Sequence, residues 1–193
     1  MLWTEKYRPS KLSDIAGQEH FVLDAEQWVL ENNMPNVLAY GMQGTGKTGA
    51  AIALAKSMLG DTFKDNFFEV NASDDRRLET VRTTIKQVAQ SGTLGDAPFR
   101  IMLLDEMDGM TSDAQNALKR IMERYANNIR FIITCNDKSR IIFPLQSRCA
   151  NYRFNPLKNE IVLEVIKNIL DKEQVEGFAD EDLARFIYDL DGS

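Results

Sequence analysis

The segment GMQGTGKT, Gly41 to Thr48, sets glycines, a lysine and a threonine at the spacing G-x-x-x-x-G-K-T. Gly41, Gly44 and Gly46 let the backbone turn tightly and present amide N–H groups to phosphate oxygens. Lys47 is then placed to reach the β- and γ-phosphates of a nucleotide, and the Thr48 hydroxyl to hold Mg²⁺. The expected lining runs through Gly41, Met42, Gln43, Gly44, Thr45, Gly46, Lys47, Thr48 and Gly49, and the helix opening there adds partial positive charge. A glycine turn beside a solvent-facing lysine is the plainer alternative. The apolar run VLAY (37–40) before the loop and the alanine-rich stretch 48–59 after it supply the strand-loop-helix context that favours phosphate binding.

Three further polar residues end apolar runs. Asp105 follows four apolar residues in IMLLDE, so it falls at the carboxyl edge of a strand, where ligands of open α/β sheets bind. It is the expected Mg²⁺ partner, directly or through water. Glu106 is expected to point the other way along the strand tip and to polarise the attacking water. Asp108 competes for that role but lies past the strand, and an acidic cap is the bland account of DEMD. Asn136 ends FIITCN as Asp105 ends IMLLD, so its carboxamide can address the γ-phosphate or the water. Alone this is a weak signal, since Asn commonly ends strands. Asn71, ending FFEVN, reaches Glu106 only if their strands are neighbours, and would then hold or release that glutamate.

The elements that must position these groups alternate along the chain. Phe21, Ala25, Trp28 and Val29 have helical spacing. Strands are expected at 37–40, 67–71, 101–106, 131–136 and 149–154. A helix is predicted to begin near Asp74 or Asp75, with Leu78, Val81, Ile85 and Val88 as its apolar stripe. Another is predicted to begin with a Ser112/Gln115 capping box and to carry Leu118, Ile121, Met122 and Tyr125. Strands apolar throughout, alternating with helices, imply a parallel sheet covered on both faces, an α/β architecture. After Asn155-Pro156 only helical patterns follow, at 161–170 and 183–190. The expected division is 1–155 for the α/β domain and 156–193 for a small, incomplete helical module.

Bulk properties agree. The chain has 193 residues, 44% apolar and 27% charged, with formal net charge −6, which suits a soluble domain with one good core. No apolar run approaches the roughly 18 residues of a membrane span, and the N-terminus is too polar for a signal peptide. A cytosolic or nuclear location, cytoplasmic in an archaeal or viral source, is expected rather than secretion. Cys135 and Cys149 form no CxxC pair, so buried reduced thiols are expected in place of zinc or a disulfide. His20 belongs to no dyad and is expected at the surface. Net acidity argues mildly against indiscriminate polyanion binding, although a local basic face is compatible with it.

In this order these residues resemble the AAA+ ATPases, and the chain as a whole is similar to the small-subunit family of replication factor C, the archaeal and eukaryotic sliding-clamp loader. WTEKYRPSKLSDIAGQ is similar to the family's N-terminal box, NASDDR to the segment after its second strand, and SRIIFPLQSRC to its SRC segment. DEMD departs from the more usual DEAD or DECD, with the Asp-Glu pair kept. The resemblance implies a five-stranded parallel sheet flanked by helices and followed by a helical lid. Beyond residue 193 it places the lid's sensor-2 arginine and a C-terminal collar domain. It implies ATP and Mg²⁺ as cofactors, with adenine contacts near Arg8, Pro9, Ile15 and Ala16; the residues alone would allow Arg8 to be a surface charge.

Arg148 of PLQSRC needs a partner if it is not in open solvent. A structural salt bridge is one account. The resemblance implies another, an arginine finger acting in trans on the neighbouring subunit's γ-phosphate, with Ser147 and Cys149 orienting it. Arg76, Arg82, Thr83, Lys86 and Lys119 form candidate DNA contacts, Arg82 and Lys86 being four apart on one helix flank. A solvated charged face is the usual meaning of such a pair; the resemblance implies backbone contacts without sequence specificity. The expected function is ATP-driven loading of a sliding clamp onto primer-template DNA within a hetero-oligomeric, pentameric ring. The alternatives are a nucleotide-binding subunit that does not hydrolyse, and another AAA+ motor such as a branch-migration helicase.

Overall fold

The computed structural model describes residues 2–72 and 78–191. Strands β1 (Asn36–Tyr40), β2 (Phe67–Asn71), β3 (Arg100–Asp105), β4 (Ile129–Cys135) and β5 (Cys149–Arg153) form one sheet in the order β2-β3-β4-β1-β5. Every pairing is parallel. Helices α1 (Trp3–Lys6) and α2 (Glu19–Leu30) precede β1, and α3 (Lys47–Leu59) and α4 (Phe63–Asn66) follow it. Helix α5 (Leu78–Gln90) joins β2 to β3, α6 (Ser112–Arg124) joins β3 to β4, and α7 (Phe143–Gln146) leads into β5. Helices α8 (Asn159–Glu173) and α9 (Asp180–Asp191) pack on each other after the sheet.

The continuous apolar runs are explained by burial on both faces. Successive strand residues point to opposite sides, so Val37, Ala39, Ile101, Leu103 and Ile132 join Phe21, Ala25 and Leu54 of α2 and α3. Leu38, Met102, Leu104, Phe131 and Ile133 join Ile85, Leu118, Met122 and Leu145 of α5, α6 and α7. Each large apolar side chain buried in this way contributes roughly 1.5–3 kcal/mol. Ala50, Ala51, Ala53 and Ala55 are all buried in α3, and small side chains there let the helix lie close against the sheet.

Strand ends shift from the expected bounds by one or two residues, as fraying predicts. The start of α6 differs in kind. Thr111, not Ser112, is the N-cap, and its hydroxyl accepts from the Ala114 amide. Gln115 takes no part in a capping box, because it lies on the buried face of α6. Cys135 is buried as expected, but Cys149 is only partly so, since β5 is an edge strand. His20 is exposed, 3.1 Å from the Arg153 carbonyl. The expected helix start at Asp74 or Asp75 lies outside the described residues.

Candidate functional site

β1 lies beside β4, and β4 beside β3, so three carboxyl-terminal strand tips face one space. The loop after β1 wraps that space. Gly41, at φ 146°, passes so close to β5 that a β-carbon would meet the Phe154 carbonyl oxygen at 2.1 Å, and only glycine fits. Gly46, at φ 89°, is the left-handed N-cap of α3. Gln43, Gly44, Gly46, Lys47, Thr48, Gly49, Asp105, Glu106, Thr134, Cys135 and Asn136 enclose a cleft of about 300 Å³. Met42 is exposed at its rim, and buried Thr45 ties the loop by donating to the Met42 carbonyl at 2.9 Å.

Lys47 is 7% exposed. Its ammonium donates to the carbonyls of Gly41 (2.8 Å) and Met42 (2.7 Å) and to Asn136 Oδ1 (3.1 Å). Burial lowers its pKa, and the surrounding acidic groups, Asp105 among them, work against that shift. Three acceptors therefore hold in place a cation that a phosphate oxygen would otherwise neutralise. The Thr48 hydroxyl donates to Asp105 at 2.9 Å (Oδ1) and lies 3.2 Å from Oδ2. A hydroxyl and a carboxylate are oxygen donors of the kind Mg²⁺ takes, so this pair fits the ion that the loop motif implies.

Glu106 lines the same cleft, with its backbone in the left-handed region at φ 54°. Because β2 and β3 are neighbours, Asn71 reaches it: Nδ2 lies 3.4 Å from Glu106 Oε2. Asn136, expected to face phosphate or water, is held by Lys47, while its amide lies 3.4 Å from Asp108 Oδ1. Asp108 sits in a short 3-10 turn beyond the strand.

A second, larger cleft of about 800 Å³ opens between the N-terminal segment and α8. Tyr7, Arg8, Ile15 and Ala16 line one side, and Ile161, Val165 and Ile169 the other. Arg8 donates to Glu5 at 3.0 Å. Pro9 lies close to Gly49 of α3, 3.3 Å from where a β-carbon on that glycine would sit. Glu173 of α8 ties this side together, accepting from Lys6 Nζ (2.7 Å) and the Tyr7 hydroxyl (2.8 Å).

Arg148 stands apart, at the start of the edge strand β5. Its guanidinium donates to the Pro144 carbonyl at 2.6 Å and pairs with Glu123 of α6. Ser147 donates to the same Pro144 carbonyl at 3.2 Å. Burial pushes the Cys149 thiol up to about 12. Phe143, five residues before Arg148, is 77% exposed. Of the candidate DNA contacts, Thr83 and Lys86 are exposed on α5 and Lys119 is half-buried on the adjacent α6. Arg76 and the side chain of Arg82 lie outside the described residues.

Two polar residues, Thr134 and Glu123, escaped the sequence expectations, and a third, Gln115, has a role other than the expected capping box. Thr134, 1% exposed, donates to Asp105 and accepts from the Glu106 amide. Gln115 donates to the carbonyls of Met110 (3.0 Å) and Arg140 (2.9 Å) and accepts from the Ile142 amide (2.8 Å), fastening α6 to the segment that carries Arg148. Glu123 partners Arg148. Two of them left a trace: Thr134 interrupts an apolar strand, and Gln115 continues the buried helical spacing of Leu118 and Met122.

The profile of the family described as "ATPase family associated with various cellular activities (AAA)" matches residues 37–157. The chain is 49% identical over 173 residues to a replication factor C small subunit of Methanococcus maripaludis, covering 90% of this chain and 55% of that protein. It is 51% identical over 174 residues to one from Methanothermobacter thermautotrophicus, covering 90% and 54%. To one from Archaeoglobus fulgidus it is 45% identical over 187 residues, covering 97% and 58%. The chain thus spans about half the length of the curated relatives it matches. Its fold is similar to that of the RuvB Holliday junction branch migration motor of Thermotoga maritima, with TM-score 0.76 and 17% identity over 94% of this chain and 59% of that one.

Proposed function

The chain belongs to the AAA family of ATPases, and from that premise we propose that it is the nucleotide-binding part of a sliding-clamp loader subunit, hydrolysing ATP within an assembled ring. The observation that carries this is the meeting of Lys47, Thr48, Asp105, Glu106 and Asn136 around one cleft at the carboxyl ends of β1, β3 and β4. The similarity to replication factor C small subunits supplies the biological setting.

The loop amides and Lys47 bind the β- and γ-phosphates, and the adenine lies between Arg8, Pro9, Ile15 and Ala16 and helix α8. Thr48 and Asp105 hold Mg²⁺, which neutralises phosphate charge when bound. Glu106 orients the attacking water as general base and Asn136 hydrogen-bonds the γ-phosphate. Asn71 restrains Glu106 until the ring is engaged. Arg148 is offered to the γ-phosphate of the next subunit, where a planar cation stabilises transition-state charge. Ring neighbours, the clamp and the backbone of primer-template DNA are the partners, the last met by α5 and α6 without sequence readout.

The likeness to a branch migration motor concerns the fold alone at 17% identity. The functional test is ATP turnover of the full-length subunit in its assembly, with and without clamp and primed DNA. Stimulation that requires both is expected. Turnover stimulated by branched DNA and indifferent to the clamp overturns the assignment.

A further inference from the structure

β4 is apolar from Phe131 to Cys135 except at Thr134, and that residue is 1% exposed. A hydroxyl in such a place is unfavourable unless it is fully hydrogen-bonded. Its one proton goes to Asp105 Oδ1, the same oxygen that accepts from Thr48, and its lone pair receives the Glu106 N–H at 3.1 Å. One group therefore touches both members of the Asp-Glu pair, the first through its side chain and the second through its backbone. The second contact falls where the chain needs it, since Glu106 holds a left-handed conformation that a non-glycine residue adopts with strain. β-Branching limits Thr134 to few rotamers, so the hydroxyl is presented in a fixed direction from a strand packed on both sides.

We propose that Thr134 is the positioning residue of this site, setting the orientation of the Asp105 carboxylate toward Mg²⁺ and the direction in which Glu106 leaves β3. This rests on the assignment of Asp105 as metal partner and Glu106 as base. Partners that orient metal ligands are commonly worth 10–100-fold in metal affinity or activity.

The experiment measures binding of a fluorescent ATP analogue to the full chain at increasing Mg²⁺, and without Mg²⁺ in chelator, for wild type, T134V, T134S and D105N. T134V keeps shape and removes the hydroxyl. It is expected to bind the analogue within about twofold of wild type in chelator and to need about tenfold more Mg²⁺ for the metal-dependent gain. T134S keeps the hydroxyl and is expected to behave as wild type. A residue needed only for packing gives the reverse order, with T134S impaired and T134V intact, and that result overturns the proposal. If D105N shifts the Mg²⁺ requirement and T134V does not, the role of Thr134 alone falls. If D105N shifts nothing, the metal assignment falls and the proposal with it. Should T134V fail to fold, T134A judges the same prediction, since it also lacks the hydroxyl.

Discussion

The cleft around Lys47 and the corner around Arg148 hold cations in opposite ways. Lys47 is buried among three acceptors from its own chain, beside a carboxylate fixed by two hydroxyls. Arg148 lies at the sheet edge, its side chain 33% exposed, with one carbonyl and the half-exposed Glu123 as partners and a bare phenylalanine nearby. A preorganised cleft resists change in its own geometry, whereas an edge cation with a weak surface partner is easily handed to another molecule. Surface pairs of this kind are worth only about 0–1 kcal/mol. Under the proposed function the two regions are halves of different sites, one that receives phosphate and one that is presented to it.

The largest expected effect lies at the presented half. R148A should leave ATP affinity of the subunit within about twofold of wild type and lower turnover of the assembly by roughly 10³–10⁵-fold, the worth of an arginine supplied in trans. Single-turnover hydrolysis beside equilibrium binding separates the two quantities. Loss of affinity instead would move Arg148 into its own subunit's cleft and dissolve the comparison.

At the receiving half, E106Q should also preserve binding and lower turnover by roughly 10²–10⁴-fold, the range for a positioned general base. Equal turnover of assemblies carrying either residue would assign catalysis to other subunits.

A smaller effect tests how loosely Arg148 is held. E123A should change the stability of the chain by less than about 1 kcal/mol, as read by denaturant unfolding. A buried counterpart, L103A in the strand that carries Asp105, should cost about 2–5 kcal/mol.

The smallest concerns the contact of α8 with the N-terminal segment. Lys6 first, then Tyr7, holds the Glu173 carboxyl below its ordinary value of 4.5. A carboxyl depressed in the folded state stabilises above its unfolded value and loses that contribution as pH falls through the folded one. The contact should therefore weaken only below about pH 4.5. Trp3 fluorescence in a Trp28→Phe background should report that acid transition, and E173Q should abolish it.

Much of this was legible in the sequence because the chemistry is local. Strand tips were marked by a polar residue after an apolar run, and the phosphate loop carries its geometry in glycine spacing. That Asn71 meets Glu106 depended on strand order, which alternation alone does not give. Thr134 and Glu123 stayed hidden because each acts on a residue distant in the chain and a lone polar side chain has no periodicity to announce it, and the role of Gln115 was not legible because its partners at Arg140 and Ile142 meet it only in the fold. Thr111 replaces the expected Ser112 as the cap because the two adjacent residues offer the same hydroxyl and only backbone angles separate them.

The central claim is that each catalytic site combines the cleft of one subunit with Arg148 of another. It is tested by mixing full-length subunits carrying K47A with subunits carrying R148A in reconstituted assemblies and measuring ATP turnover. Each variant alone should be inactive, and the mixture should regain activity wherever an intact Lys47 cleft meets an intact Arg148. A mixture as inactive as its components would mean that both residues serve one site within one chain.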